Sequence, residues 1–280
     1  MATLFRGMDR AALDAAYNNR EAVADHAAYL DRWRRRSDEI RAAADQRHLD
    51  LAYGAAPRTK LDFFPAPSGR RDAPTLMFIH GGYWQSNAKE GFAFVADGLS
   101  PHGFNVAVPS YTLGPEARMD RIVAEIREAV RWLAAHLPEL GGDPKRLFVA
   151  GWSAGGHLTA TAMGEPAVAG GLSISGIFDL EPIRLNYLNE KLGLDEAEAA
   201  RNSPIRHLPA RAGRLCVAVG GAELPELRRQ SAEYEAAWRA AGLPGDFVSL
   251  PGKDHFSVLE ELSRPDGALA TIVRDLAGAA

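Results

Sequence analysis

The chain has 280 residues, 46% hydrophobic and 24% charged, and its 32 Lys and Arg against 36 Asp and Glu leave a formal net charge of -4. This composition excludes an intrinsically disordered chain, and the lack of a basic surplus argues against nucleic acid as a partner. The longest apolar runs, such as 75–79 and 147–150, fall far short of the roughly 18 residues that a membrane-spanning helix needs, so no membrane span is expected.

The N-terminus carries Arg6, Asp9, Arg10 and Asp14 without an apolar h-region, which predicts a cytoplasmic protein. The single cysteine, Cys216, allows no internal disulfide and sits in the apolar run 215–219, so it reads as a core residue and not as a nucleophile. Residues 1–50 are rich in Ala, Arg and Asp, with Leu13, Tyr17, Tyr29, Leu30, Trp33, Ile40 and Leu49 at roughly helical spacing; they predict a helical N-terminal arm. The arginines of 32–36 are flanked by Asp31, Asp38 and Glu39, which suits a solvated helix face better than an anion site.

From Lys60 onward short β-like runs alternate with helical patterns. Strands are expected at 61–64, 75–79, 105–108, 147–150, 171–175, 215–219 and 247–250. Met119, Ile122, Val123, Ile126, Val130, Leu133 and Leu137 follow a period of about 3.6 residues, predicting a helix that Pro138 ends. Further helices are expected at 225–241, stopped by Gly242, and at 265–277. The stretch 178–209 has no strand pattern and reads as a cap over the strand ends. The alternation predicts an α/β fold with a mostly parallel sheet flanked by helices on both faces, as one domain over 1–280.

Residues 147–156 read as an apolar strand, then Gly151-Trp152-Ser153-Ala154-Gly155, then a helical segment. That is the nucleophile-elbow context, in which small flanking residues let a sharp turn present a serine hydroxyl above a helix N-terminus. Directly after the strand 75–79 comes His80-Gly81-Gly82-Tyr83-Trp84-Gln85, matching the HGGG-type loop that supplies the other oxyanion donors. The N–H groups of Gly82, Tyr83 and Ala154 are the expected donors, with His80 structural and Tyr83, Trp84 and Trp152 candidates for the pocket wall.

Chain order Ser, acid, His places the base near the C-terminus. His255 lies in a Gly-containing loop after the last predicted strand, whereas His207 falls in the cap. Glu223 is the first carboxylate after the strand 215–219 and is the expected acid, with Glu226 and Asp179 as alternatives; Asp254, adjacent to the base, cannot easily reach round to it. These residues imply acyl transfer to water through a Ser153–Glu223–His255 triad, with no metal and no organic cofactor required. In the cap, Arg184, Asn186, Tyr187, Asn202 and Ser203 have packing and solvation as their ordinary roles, with Ser203 also carried as a pocket candidate.

With those residues in place, the chain resembles the α/β-hydrolase superfamily, and within it the arylformamidase (kynurenine formamidase) group of esterase-lipase proteins. The likeness rests on 80–86, 151–158, 175–180, 223–226 and 229–231, and spans about 53–262. The family's acid aligns with Glu223, where many members carry aspartate, and Trp152 stands where animal relatives usually carry histidine. The resemblance implies hydrolysis of N-formyl-L-kynurenine to formate and kynurenine, with side activity on small activated esters. A carboxylesterase acting on short-chain esters or amides and a noncatalytic ligand-binding protein remain as alternatives. A small-molecule ester or formamide is thus the expected partner, and the oligomeric state, a homodimer included, is left open.

Overall fold

A computed structural model describes residues 3–67 and 72–278. Among these, eight strands form one sheet: β1 Leu51–Ala52, β2 Lys60–Phe64, β3 Ala73–Ile79, β4 Asn105–Pro109, β5 Gly142–Trp152, β6 Val168–Ile174, β7 Arg214–Gly220 and β8 Gly245–Leu250. Their order is β1-β2-β4-β3-β5-β6-β7-β8, antiparallel where β2 meets β1 and β4 and parallel elsewhere. All seven expected strands are present; β1, two residues paired as Leu51 to Leu61 and Ala52 to Lys60, was too short to leave a pattern.

Side chains alternate across this sheet, so neighbouring residues of one strand build different cores. Met77, Ile79, Val149 and Val217 pack with the helices Met119–Leu140 and Pro225–Ala240. Leu76, Phe78, Phe148, Ala150 and Ala218 pack with Trp33 of the arm helix His26–Ala43 and with the helix Ala268–Leu276. The central strands are therefore covered on both faces, which is why they read as continuous apolar runs.

The helix Met119–Leu140 buries the periodic residues as expected but does not stop at Pro138. Pro138 falls in the last turn, where one missing N–H is a small loss, and the end comes at Gly141, whose φ of 85° suits glycine and whose N–H donates to Leu137 O. The arm comprises the helices Arg10–Ala16, Asn19–Ala22 and His26–Ala43. Trp33 anchors it by stacking on Phe94 at 5.1 Å and donating to Glu260 Oε1 at 2.6 Å. A buried ion cluster adds a second tie: Lys89 Nζ contacts Asp62 at 2.7 Å and Asp50 at 2.8 Å, while Arg41 Nε reaches Asp62 at 2.8 Å. The stretch 178–209 carries the short helices Glu181–Arg184, Asn189–Leu192 and Glu196–Arg201 and no strand among them. Burial pushes the Cys216 thiol up to about 12, so it stays protonated within the core. No helix among the described residues is long and apolar enough to cross a membrane.

Candidate active site

β5 ends at Trp152 and the helix Ala154–Ala162 begins two residues later, leaving Ser153 alone at the corner with φ 59° and ψ -118°. The corner closes only around glycine. A Cβ on Gly151 would stand 2.2 Å from Gly155 O, and one on Gly155 would stand 2.0 Å from Ile79 O. Ser153 N–H donates to Ile174 O at 2.8 Å, while Ala154 holds the first position of the helix, where N–H groups have no partner within the helix itself.

The loop after β3 folds against this corner. Gly82, Tyr83 and Trp84 take φ values of 118°, 51° and 57°, a left-handed run that begins with glycine. Gln85 and Ser86 N–H both donate to Gly82 O, at 3.0 and 3.1 Å, and Asn87 Nδ2 donates to Gly81 O at 3.0 Å. A Cβ on Gly81 would lie 2.7 Å from Trp152 O and 3.1 Å from Ser153 Cβ, so this loop touches the serine.

His255 arrives from the loop after β8 and Glu223 from the turn after β7. His255 Nδ1 donates to Glu223 Oε2 at 2.6 Å, and both residues are buried. The other carboxylate oxygen accepts from Ser175 Oγ at 2.5 Å and from Gly220 N–H at 2.7 Å. With Nδ1 donating, Nε2 is the ring nitrogen left to accept a proton. Trp152 Nε1 donates to His255 O at 2.7 Å and holds the loop from the elbow side. The other carboxylates have different partners: Glu226 binds Arg229 through both oxygens and accepts from Tyr17, Asp179 pairs with Arg206, and Asp254 accepts from Phe256 and Ser257 N–H.

Ser153 and His255 share the wall of a cleft of about 300 Å³ with Gly82, Tyr83, Trp152 and Phe256. Two expected pocket residues lie elsewhere. Trp84 is fully buried behind the loop, where its left-handed backbone aims the indole inward and Nε1 donates to His157 Nδ1 at 3.2 Å. Ser203 is buried within the stretch 178–209, donating to Ala199 O and accepting from Leu180 N–H, at 2.7 and 2.8 Å. His207 lines a separate groove of about 1020 Å³ that does not include Ser153. Sequence reasoning missed Ser175 and the arm's share of the site. Ser175 is buried at φ 52° directly after β6, and Tyr83 Oη donates to Tyr17 O at 2.5 Å while accepting from Asn19 Nδ2 at 2.9 Å. No group of three or more His, Cys, Asp or Glu among the described residues is arranged to hold a metal.

Two other histidines carry the loop and the helix. His80 shares its Nδ1 with Gly81 O at 2.9 Å and stacks on Tyr111, and His157 donates from Nε2 to Asn202 O at 2.7 Å. Burial pushes both imidazoles down to about 4. An unfolded histidine titrates near 6.5, so below that pH the unfolded chain takes up protons that the folded one refuses, and stability falls as pH drops towards about 4. Each ring contributes to this loss, with a slope that approaches one proton per ring between these two values. Denaturant unfolding between pH 6.5 and 5 should show that slope, and His157→Gln should reduce it by about one proton whatever it does to absolute stability. An unchanged slope would show that His157 is not held neutral.

A family profile described as BD-FAE matches residues 61–167, which hold the loop after β3 and the serine corner. The chain is 34% identical to kynurenine formamidase from Danio rerio over 82% of each chain, and 32% identical to that from Salmo salar over the same shares. Among solved structures, one from Silicibacter sp. TM1040, described provisionally as a thioesterase, superposes with a TM-score of 0.84 at 32% identity, covering 93% of this chain and 98% of its own. The sheet, the elbow and these likenesses together place the chain among the α/β-hydrolases, as a hydrolase belonging to the kynurenine formamidase family.

Proposed function

We propose that the chain hydrolyses N-formyl-L-kynurenine to formate and kynurenine, using Ser153, His255 and Glu223. The observation that carries the reading is the strained Ser153 in one cleft with a histidine whose Nδ1 is committed to a buried carboxylate. Such an imidazole accepts the Ser153 proton at Nε2 as Oγ attacks the formyl carbon. The N–H groups of Gly82, Tyr83 and Ala154 take the oxyanion. His255 then protonates the departing aryl amine nitrogen, the C–N bond breaks, and a formyl ester remains on Ser153. Water, deprotonated by the same imidazole, attacks that ester and releases formate. Tyr83 and Trp152 stand at the cleft wall with Ser153, where bulky side chains would favour an acyl group as small as formyl.

The test is kcat/KM for N-formyl-L-kynurenine against p-nitrophenyl acetate on one preparation. A preference for the formamide of about a hundredfold, some 2.7 kcal/mol of transition-state discrimination, is the expected result. Comparable or ester-favouring values would favour the second reading, an esterase of short acyl groups with the same machinery, which the likeness to the structure described as a thioesterase supports.

A further inference from the structure

We propose that Arg20 and Lys191 form a subsite for a carboxylate on the part of the substrate remote from the scissile carbonyl, with the Asn19 amide oxygen beside them as an acceptor for a ligand N–H. The proposal rests on the hydrolase reading above only in using turnover as its readout. All three residues line the cleft that holds Ser153 and His255, and no Asp or Glu is among the residues lining it.

The two cations stand apart from their neighbours. Every other arginine of the arm is ion-paired: Arg6 with Glu233, Arg10 with Asp14, Arg32 with Glu260, Arg34 and Arg35 with Asp31, Arg36 with Asp97, Arg41 with Asp62 and Arg47 with Asp45. In the cap, Arg184, Arg201 and Arg206 pair with Glu181, Asp120 and Asp179. Arg20 and Lys191 alone in these two segments have no carboxylate partner among the described residues, and both face the same cleft. Of the nearby acids, Asp14 and Glu190 are both engaged by Arg10, while Glu21, next to Arg20 in the chain, makes no ion pair with it.

Asn19 supplies an independent observation. Tyr83 spends its only proton on Tyr17 O, so its oxygen can only accept from Asn19, which fixes Nδ2 towards Tyr83. Oδ1 is then left buried with no partner, in a residue only 3% exposed on the cleft wall. A buried acceptor without a donor is costly, and a ligand N–H would satisfy it. The walls carrying these groups are tied together: Tyr187 N–H donates to Asp14 Oδ1 and Gln85 Nε2 donates to Leu188 O, at 2.9 and 2.7 Å, so arm, cap and oxyanion loop hold one geometry.

The probes are 4-acetoxybenzoate and its methyl ester, which share the acyl group and differ in one negative charge. The full chain should favour the anion by about tenfold or more in kcat/KM at low salt, and the preference should shrink as ionic strength rises, because both cations are solvent-exposed. Arg20→Gln with Lys191→Gln should bring the ratio to about one, and each single substitution should move it part of the way. Where an ester turns over too slowly, the same ratio is read from competitive inhibition of p-nitrophenyl acetate hydrolysis. A ratio near one in the unaltered chain, or a ratio that survives the double substitution, would overturn the subsite. Neither probe is a formamide, so an ester-preferring enzyme that still selects the anion would sink the formamidase reading and leave the subsite standing. A formamide-preferring enzyme indifferent to the charge would do the reverse.

Discussion

Ser153→Ala is expected to lower kcat by about 10³-fold or more on any substrate the chain hydrolyses, with the folded state intact. The proposed mechanism forms its covalent bond at Oγ, so removing that atom leaves only positioned donors and an imidazole that can assist water. Retention of more than about a tenth of the activity would remove Ser153 from the reaction. The backbone adds a second expectation that an ordinary serine would not meet. At φ 59° and ψ -118° any residue with a Cβ is strained, at a cost of order 1–3 kcal/mol, and alanine keeps that strain. Ser153→Gly should therefore be as inactive as Ser153→Ala yet more stable than it by about 1 kcal/mol in denaturant unfolding. If glycine is instead the less stable of the two, the turn is not strained.

What the sequence made legible follows from how local each signal is. Strands buried on both faces announce themselves as apolar runs, and the elbow and the loop after β3 are fixed by glycines where a Cβ would stand 2.0 to 2.7 Å from backbone oxygens. Glu223 could be picked because a carboxylate must leave the end of β7 to meet a histidine leaving β8, and those strands are neighbours in the sheet. Trp84 and Ser203 went astray because facing a cleft depends on how a loop docks: one left-handed φ turns the indole of Trp84 onto His157. The arm was legible as helices and illegible as a wall of the site. Its contacts bridge 64 residues from Asn19 to Tyr83 and 213 from Tyr17 to Gln230, and helical spacing says nothing about what a helix lands on. Ser175 was invisible for a similar reason, since its hydroxyl matters only once β6 and β7 lie side by side.

The largest effect from a residue that never touches substrate is expected of Glu223→Gln, which is close to isosteric. Its consequence is set by the two donors at Oε1. Ser175 O–H and Gly220 N–H both point at that position, and the amide must answer them with its oxygen, because its NH₂ would meet two donors with a third. The NH₂ then faces His255 Nδ1, where the carboxylate oxygen had accepted at 2.6 Å. Nδ1 is forced to accept, the proton moves to Nε2, and the imidazole presents a donor to Ser153 instead of a base. A reversed tautomer of this kind costs about 10⁴ in kcat in comparable triads with geometry intact, and a loss of about 10³ to 10⁴ is expected here. KM should change far less, since Glu223 is not among the residues that line the cleft. Glu223→Asp keeps the charge but shortens the reach by one methylene, so it should retain considerably more activity than the amide. A glutamine variant within tenfold of the unaltered chain would mean that His255 does not depend on Glu223 for its proton. Equal losses for Asp and Gln would mean that reach, and not the direction of the hydrogen bond, governs the site.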